Sequence, residues 1–159
     1  MQVLHAKIHN ITHGKNTTII QPSNLYGCTL RDDVFIGPFC EIQSDVKIGS
    51  RTRIQSHSFI CSLVEIGEDC FIGHGVMFIN DKFSSGQPAQ SPSMWESTRI
   101  GNRVSIGSNA TILPVSICDD VVIGAGAVVT HPITKSGFYA GNPARLIRTL
   151  APKATQCKV

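Results

Sequence analysis

This chain of 159 residues predicts an all-β solenoid, a parallel β-helix built from six-residue repeats, on three observations. A large aliphatic or aromatic residue returns at every sixth position through Leu30, Ile36, Ile42, Ile48, Ile54, Ile60, Ile66, Ile72 and Phe78. Four residues after each of the first eight stands a small or β-branched residue: Val34, Cys40, Val46, Thr52, Ser58, Val64, Cys70 and Val76. Glycine often follows the aliphatic residue, at Gly37, Gly49, Gly67 and Gly73, where a turn can ask for positive φ and a side chain would be costly. This period fits neither the turn of a helix nor the alternation of one long strand. It fits a short strand and a turn, repeated.

Taken in order, Met1 to Ser23 has weak periodicity, and Val3, Ile8, Ile11, Ile19 and Ile20 can supply short strands that close the open end of the stack. The regular hexads follow. If three hexads make one triangular coil of 18 residues, Ile36, Ile54 and Ile72 lie directly above one another, with coils about 4.8 Å apart. The repeat breaks after Phe78, and Asn80 to Ser97 is rich in Ser, Pro and Gly, which reads as a loop of about 80–97 pushed out of the solenoid. Trp95, the only tryptophan, reads as an anchor for that loop, with a ligand contact as the alternative. The hexads resume at Ile100, Ile106 and Ile112, with Gly101 and Gly107 behind the first two and Val104 and Ala110 in the small positions. One residue is dropped before Ile117, and Ile123 and Val129 complete the series. In the tail, about 132–159, Asn142 and Pro143 suggest an N-cap and first residue of a short helix through Ala144 to Leu150, with a frayed end beyond Pro152.

Composition sets the outer limits. The length suits one domain spanning 1–159. Lys plus Arg exceed Asp plus Glu by 14 − 11 = 3, too mild a basic excess to suggest a nucleic-acid partner. Six cysteines (28, 40, 61, 70, 118 and 157) form no CxxC, and Cys40 and Cys70 occupy the small inward positions. Buried reduced thiols, and hence a reducing cytoplasm, are the expectation. No long apolar run predicts membrane insertion, and the polar first twenty residues have no signal-peptide core.

The hexads, the loop after Phe78-Ile79-Asn80-Asp81, the runs from Ile106 to Leu113 and from Ile123 to Thr130, and the terminal Gly141-Asn142-Pro143-Ala144-Arg145 together resemble the left-handed β-helix hexapeptide acyltransferases, over roughly Leu30 to Leu150. Within that family the chain is most similar to bacterial N-acetyltransferases of nucleotide-linked amino sugars, particularly 3-amino sugars. The resemblance implies left-handed coiling, a homotrimer with active sites between subunits, and acetyl-coenzyme A as donor. It also implies that Asn80 contacts the acceptor amine. A turn-forming Asn ahead of Asp81 is the structural alternative. For coenzyme A the resemblance points to the later coils, where Gly107, Ser108, Ala125 and Gly126 would let a pantetheine arm run near the backbone and Arg145 could meet a phosphate.

Acetyl transfer to an amine needs a neutral amine, a donor for the developing oxyanion and exclusion of water. A sugar amine loses its proton more easily than lysine does, so a strong base is not obligatory. Two histidines could still help. His57 stands three residues after Ile54 and His74 two after Ile72, which places both at one corner, a coil apart. Either could act as a general base or orient the acceptor, and a hydrogen-bonded surface pair is the plain alternative. His5, His9, His13 and His131 lie outside the regular core and are given no role.

Three other readings remain. O-acetylation of a sugar or small molecule would need a true base. A metalloenzyme like the γ-class carbonic anhydrases, which share the fold, would need a third histidine five residues after His74, where Ile79 stands. A catalytic zinc normally takes three protein ligands, so no metal is expected. A non-catalytic solenoid binding a partner along one face is the third reading, and the loop and tail argue against it.

Overall fold

The computed structural model describes Met1 and residues 7–150. The chain winds through three sheets in strict rotation, a parallel β-solenoid consistent with the left-handed coil that the resemblance implies. The first sheet stacks Ile8–His9, Asn24–Tyr26, Glu41–Ile42, Phe59–Ile60, Met77–Phe78, Thr111–Ile112 and Val128–Val129. The second stacks Thr12–His13, Thr29–Leu30, Lys47–Ile48, Val64–Ile66, Thr98–Ile100 and Ser116–Ile117. The third stacks Thr18–Ile19, Phe35–Ile36, Arg53–Ile54, Phe71–Ile72, Ser105–Ile106 and Val121–Ile123, and ends with Gly137–Ala140 and Arg145–Arg148.

The expected stack is present. Ile36, Ile54 and Ile72 are register partners, continued by Ile106 and Ile123. None of the five is more than 1% exposed. Every small position from Val34 to Val76 is buried as well, and the polar ones follow one rule. Cys40 Sγ, Thr52 Oγ1, Ser58 Oγ and Cys70 Sγ donate to the carbonyls of Gln55, Gly67, Gly73 and Gly101 at 3.2, 2.8, 3.0 and 3.1 Å. Small donors are tolerated there because each finds an acceptor on the next coil, which removes the cost of burying it.

The glycines have a different reason from the one the repeat suggested. Positive φ falls three residues after the aliphatic position, at Asp33, Phe39, Asp45, Arg51, His57, Leu63 and Asp69 (φ 55–70°), and at Gly75. Gly37 and Gly67 are needed instead because coils approach closely: a Cβ would lie 2.7 Å from the Ser56 nitrogen and 2.6 Å from the Gly101 oxygen.

The first coil forms, with Ile8 and Ile19 in strands and Ile11 and Ile20 just outside them; Val3 and Cys157 lie outside the described residues. The loop leaves after Phe78 and returns at Thr98, with one 3₁₀ turn at Pro92–Met94. On the next coil the same corner is the short one, Leu113 to Val115. The helix expected through Ala144 to Leu150 is not there. Arg145–Arg148 is a strand, antiparallel to Gly137–Ala140, with Ala140 opposite Arg145 and Tyr139 opposite Leu146. A seven-residue helix is marginal alone, whereas a hairpin pairs the exposed edge of the last coil.

Cys28, Cys40, Cys61 and Cys70 are buried free thiols and Cys118 is partly exposed. Burial pushes the Cys61 thiol from its ordinary 9.0 up to about 12. The folded value lies above the unfolded one, so this contribution to stability is complete below pH 9 and is lost as pH rises toward 12. Urea midpoints are therefore expected to fall between pH 9 and 11, less steeply in Cys61→Ala; equal slopes would overturn the assignment.

Candidate functional site

Three corners run the length of the prism, and they differ in how much of their chemistry is already committed. The corner between the second and third sheets is closed by its own ion pairs. Arg51 meets Asp69 and Glu68 at 2.7 and 2.8 Å, and Arg103 meets Asp120 and Asp119 at 2.8 and 3.2 Å. The Asn102 backbone N–H, before the neighbouring charges, holds the Asp119 carboxyl below its ordinary range. On the outer face of the second sheet Lys47, Glu65 and Arg99 form a similar ladder at 2.7 and 3.1 Å. These exposed pairs add little stability.

The corner between the third and first sheets carries most of the expected site residues. His57 N–H donates to Pro38, Gly75 N–H to Ser56, Asn109 N–H to His74 and Gly126 N–H to Ser108, at 3.1, 3.0, 2.8 and 2.9 Å. His57, His74, Gly107, Ser108, Ala125 and Gly126 therefore share one edge. The histidines do not bond to each other. A step of 18 residues leads from Ser56 to His74, so their Oγ and Nδ1 pair at 2.8 Å. The same step down from His57 leads to Phe39, whose ring it stacks on at 4.9 Å. Both histidines are exposed. A Cβ built on Gly126 (φ 68°) meets nothing within 4 Å, and Ala125 is exposed, which leaves a smooth edge on the last coils. Arg145 lies in the added strand just above it and makes no ion pair among the described residues. Ala144 N–H ties that strand to the Val128 carbonyl at 2.8 Å.

Asn80 sits on the other side of the first sheet, at the corner between the first and second sheets. One chain therefore does not bring Asn80 to His57 and His74. The half-buried Asn80 donates from Nδ2 to the Ser62 carbonyl at a long 3.4 Å, and its own carbonyl accepts from Glu96 N–H at 2.8 Å. The turn after it is made by Asp81, whose Oδ1 accepts from Phe83 N–H at 2.8 Å, so the turn-forming role belongs to the aspartate. Sequence reasoning missed Asp81, Lys82 and Glu96. The available signal was an Asp two residues before a loop residue, and opposite charges at the two ends of the loop. Trp95 is half-buried, and its backbone N–H donates to the Pro92 carbonyl at 3.1 Å. Among the described residues no three His, Cys, Asp or Glu side chains gather to hold a metal ion.

A hexapeptide solenoid with an exposed polar edge and one extruded loop is the architecture that the comparisons with known proteins match. Residues 27–62 match the bacterial transferase hexapeptide (six repeats), and residues 97–131 match the hexapeptide repeat of succinyl-transferase. Both matched segments are hexapeptide repeats of the kind found in bacterial transferases. Over 52 residues it is 50% identical to the galactoside O-acetyltransferase of Escherichia coli K12, covering 32% of this chain and 26% of that one. The chain spans less than two thirds of the length of each such curated relative. Among solved structures it resembles AntD, an N-acyltransferase from Bacillus cereus in complex with dTDP and coenzyme A. The TM-score is 0.79 at 24% identity, over 89% of this chain and 84% of that one. It also resembles the perosamine N-acetyltransferase of Caulobacter crescentus, with coenzyme A and GDP-perosamine bound. There the TM-score is 0.61 at 19% identity, over 86% and 56% of the two chains. No helix among the described residues is long and apolar enough to cross a membrane.

Proposed function

We propose that this protein, acting in the cytoplasm, transfers the acetyl group of acetyl-coenzyme A to the amino group of a nucleotide-linked amino sugar, UDP- or dTDP-linked, used in bacterial surface polysaccharide biosynthesis. The observation that carries the reading is the loop pushed out at Asn80, closed by Glu96 N–H on the Asn80 carbonyl at 2.8 Å. It interrupts a coil of the fold on which AntD binds coenzyme A and a dTDP-linked amino sugar. Asn80 is the residue that would orient the acceptor nitrogen. That nitrogen attacks the thioester carbonyl carbon, the C–N bond forms, the C–S bond breaks, and the proton lost from nitrogen ends on the departing sulfur. An oxyanion donor would come from corner N–H groups other than those of His57, Gly75, Asn109 and Gly126, which bond to carbonyls of the neighbouring coil. The edge at Ser108, Ala125 and Gly126 is suited to a pantetheine arm, with Gly107 beneath it letting the Ala125 backbone approach closely, and Arg145, without an ion-pair partner among the described residues, is suited to a phosphate. Because Asn80 and the histidines occupy different corners, a homotrimer would let the loop of one copy face the His57 and His74 edge of the next.

O-acetylation is the second reading. It is favoured by the 2.8 Å contact of His74 Nδ1 with Ser56, which fixes the ring and leaves Nε2 for a hydroxyl proton, and by the local identity to a galactoside O-acetyltransferase. The deciding experiment is thiol release from acetyl-coenzyme A against UDP- and dTDP-linked amino sugars, with matched hydroxy sugars and a chelator control. Release with an amino sugar alone, unchanged by chelator, is the expected result. Release with hydroxy sugars moves the activity to O-acetylation, and no release with any acceptor overturns both.

A further inference from the structure

The root of the extruded loop is tied by side chains that take no part in the coil. Asp81 is half-buried and both oxygens of its carboxylate are committed to backbone: Oδ1 accepts from Phe83 N–H at 2.8 Å and Oδ2 from Ala89 N–H at 2.7 Å. Hydrogen bonds to an ionised acceptor are the strong kind. The next residue, Lys82, reaches Glu96 Oε2 at 2.7 Å, and Glu96 N–H donates to the Asn80 carbonyl at 2.8 Å. The excursion is thus closed on the residue from which it departs. Among the described residues the Asn80 side chain has only its 3.4 Å bond to Ser62, so its direction is set through its backbone. On one side that backbone is held by Ile79 N–H on the Ile112 carbonyl at 2.9 Å; on the other it continues into Asp81.

We propose that Asp81, assisted by the Lys82–Glu96 pair, is the positioning device that aims the Asn80 side chain at the acceptor. The inference rests on the acceptor-orienting role given to Asn80 above. Asp81 is a positioning residue and not a base, because N–H groups of its own loop occupy both oxygens. The Lys82–Glu96 pair contributes less, being 36% and 47% exposed. Its loss loosens the mouth of the loop but leaves the turn at Asp81 intact.

The test is a cycle on the full chain, read as kcat and as KM for acetyl-coenzyme A, with thermal midpoints recorded for each variant. Asp81→Ala is expected to lower kcat at least about tenfold, since two charged hydrogen bonds are lost. KM for acetyl-coenzyme A should stay within about twofold, because the donor is bound elsewhere. Asp81→Asn keeps one acceptor and should fall between wild type and Asp81→Ala. Lys82→Glu is expected to lower kcat by no more than about fivefold, with recovery in the reversed pair Lys82→Glu/Glu96→Lys. In an Asn80→Ala background none of these changes should lower kcat further, because the group being aimed is gone. Equal losses in both backgrounds, or unchanged kcat in Asp81→Ala, overturn the proposal. If Asn80→Ala itself leaves turnover unchanged, the role of Asn80 fails first and the clamp has nothing to aim. Should Asp81→Ala not fold, Asp81→Asn and the reversed pair decide.

Discussion

Replacing Asn80 by alanine is expected to lower turnover about a hundredfold, the usual scale for removing one group that orients or stabilises the reacting atoms. The fold should barely notice. The Asn80 side chain contributes one hydrogen bond of 3.4 Å to the coil, and the contact that closes the loop uses its main-chain carbonyl, which alanine keeps. A loss of no more than about 1 kcal/mol is therefore expected on unfolding. Thiol release and a urea curve on the same preparation check both halves. Turnover within a factor of about two of wild type would remove Asn80 from the mechanism, and the edge bearing His57 and His74 would then be the place to look.

The second large effect lies in the core. Ile72→Ala is expected to cost about 2–5 kcal/mol, because Ile72 is completely buried between register partners Ile54 and Ile106. Those neighbours belong to hydrogen-bonded coils above and below and cannot collapse into the space. Phe71→Ala, one residue away, removes a larger side chain yet should cost less. Phe71 is 43% exposed on the outer face of the same strand. Urea midpoints of the two variants compare them directly. If Phe71→Ala were the more damaging, the outer face of the third sheet would be carrying packing that the isolated chain does not reveal.

The corner shared by His57 and His74 was legible because an 18-residue coil turns sequence offset into position, and Ser108 and Ala125 fell on the same edge for the same reason. Side-chain partners were not legible. A single-residue difference in offset put Ser56, and not His57, beneath His74. The separation of Asn80 from the histidines was equally hidden, since it depends on which corner the loop leaves. The short terminal helix failed because local signals at Asn142 and Pro143 cannot register the unpaired edge of the last coil, which Gly137–Ala140 and Arg145–Arg148 cover.

By itself the sequence determined the solenoid, its core and the place where it is interrupted. Those features follow from a period of six, in which each residue's neighbour above is fixed by counting. Only the tertiary structure decided the rest: why Gly37 and Gly67 carry no side chain, which carbonyl each buried Cys, Ser or Thr finds, and how Asp81, Lys82 and Glu96 close the loop. These depend on distances of approach between coils and on contacts across a segment with no period, and neither quantity is written in the spacing of residues along the chain.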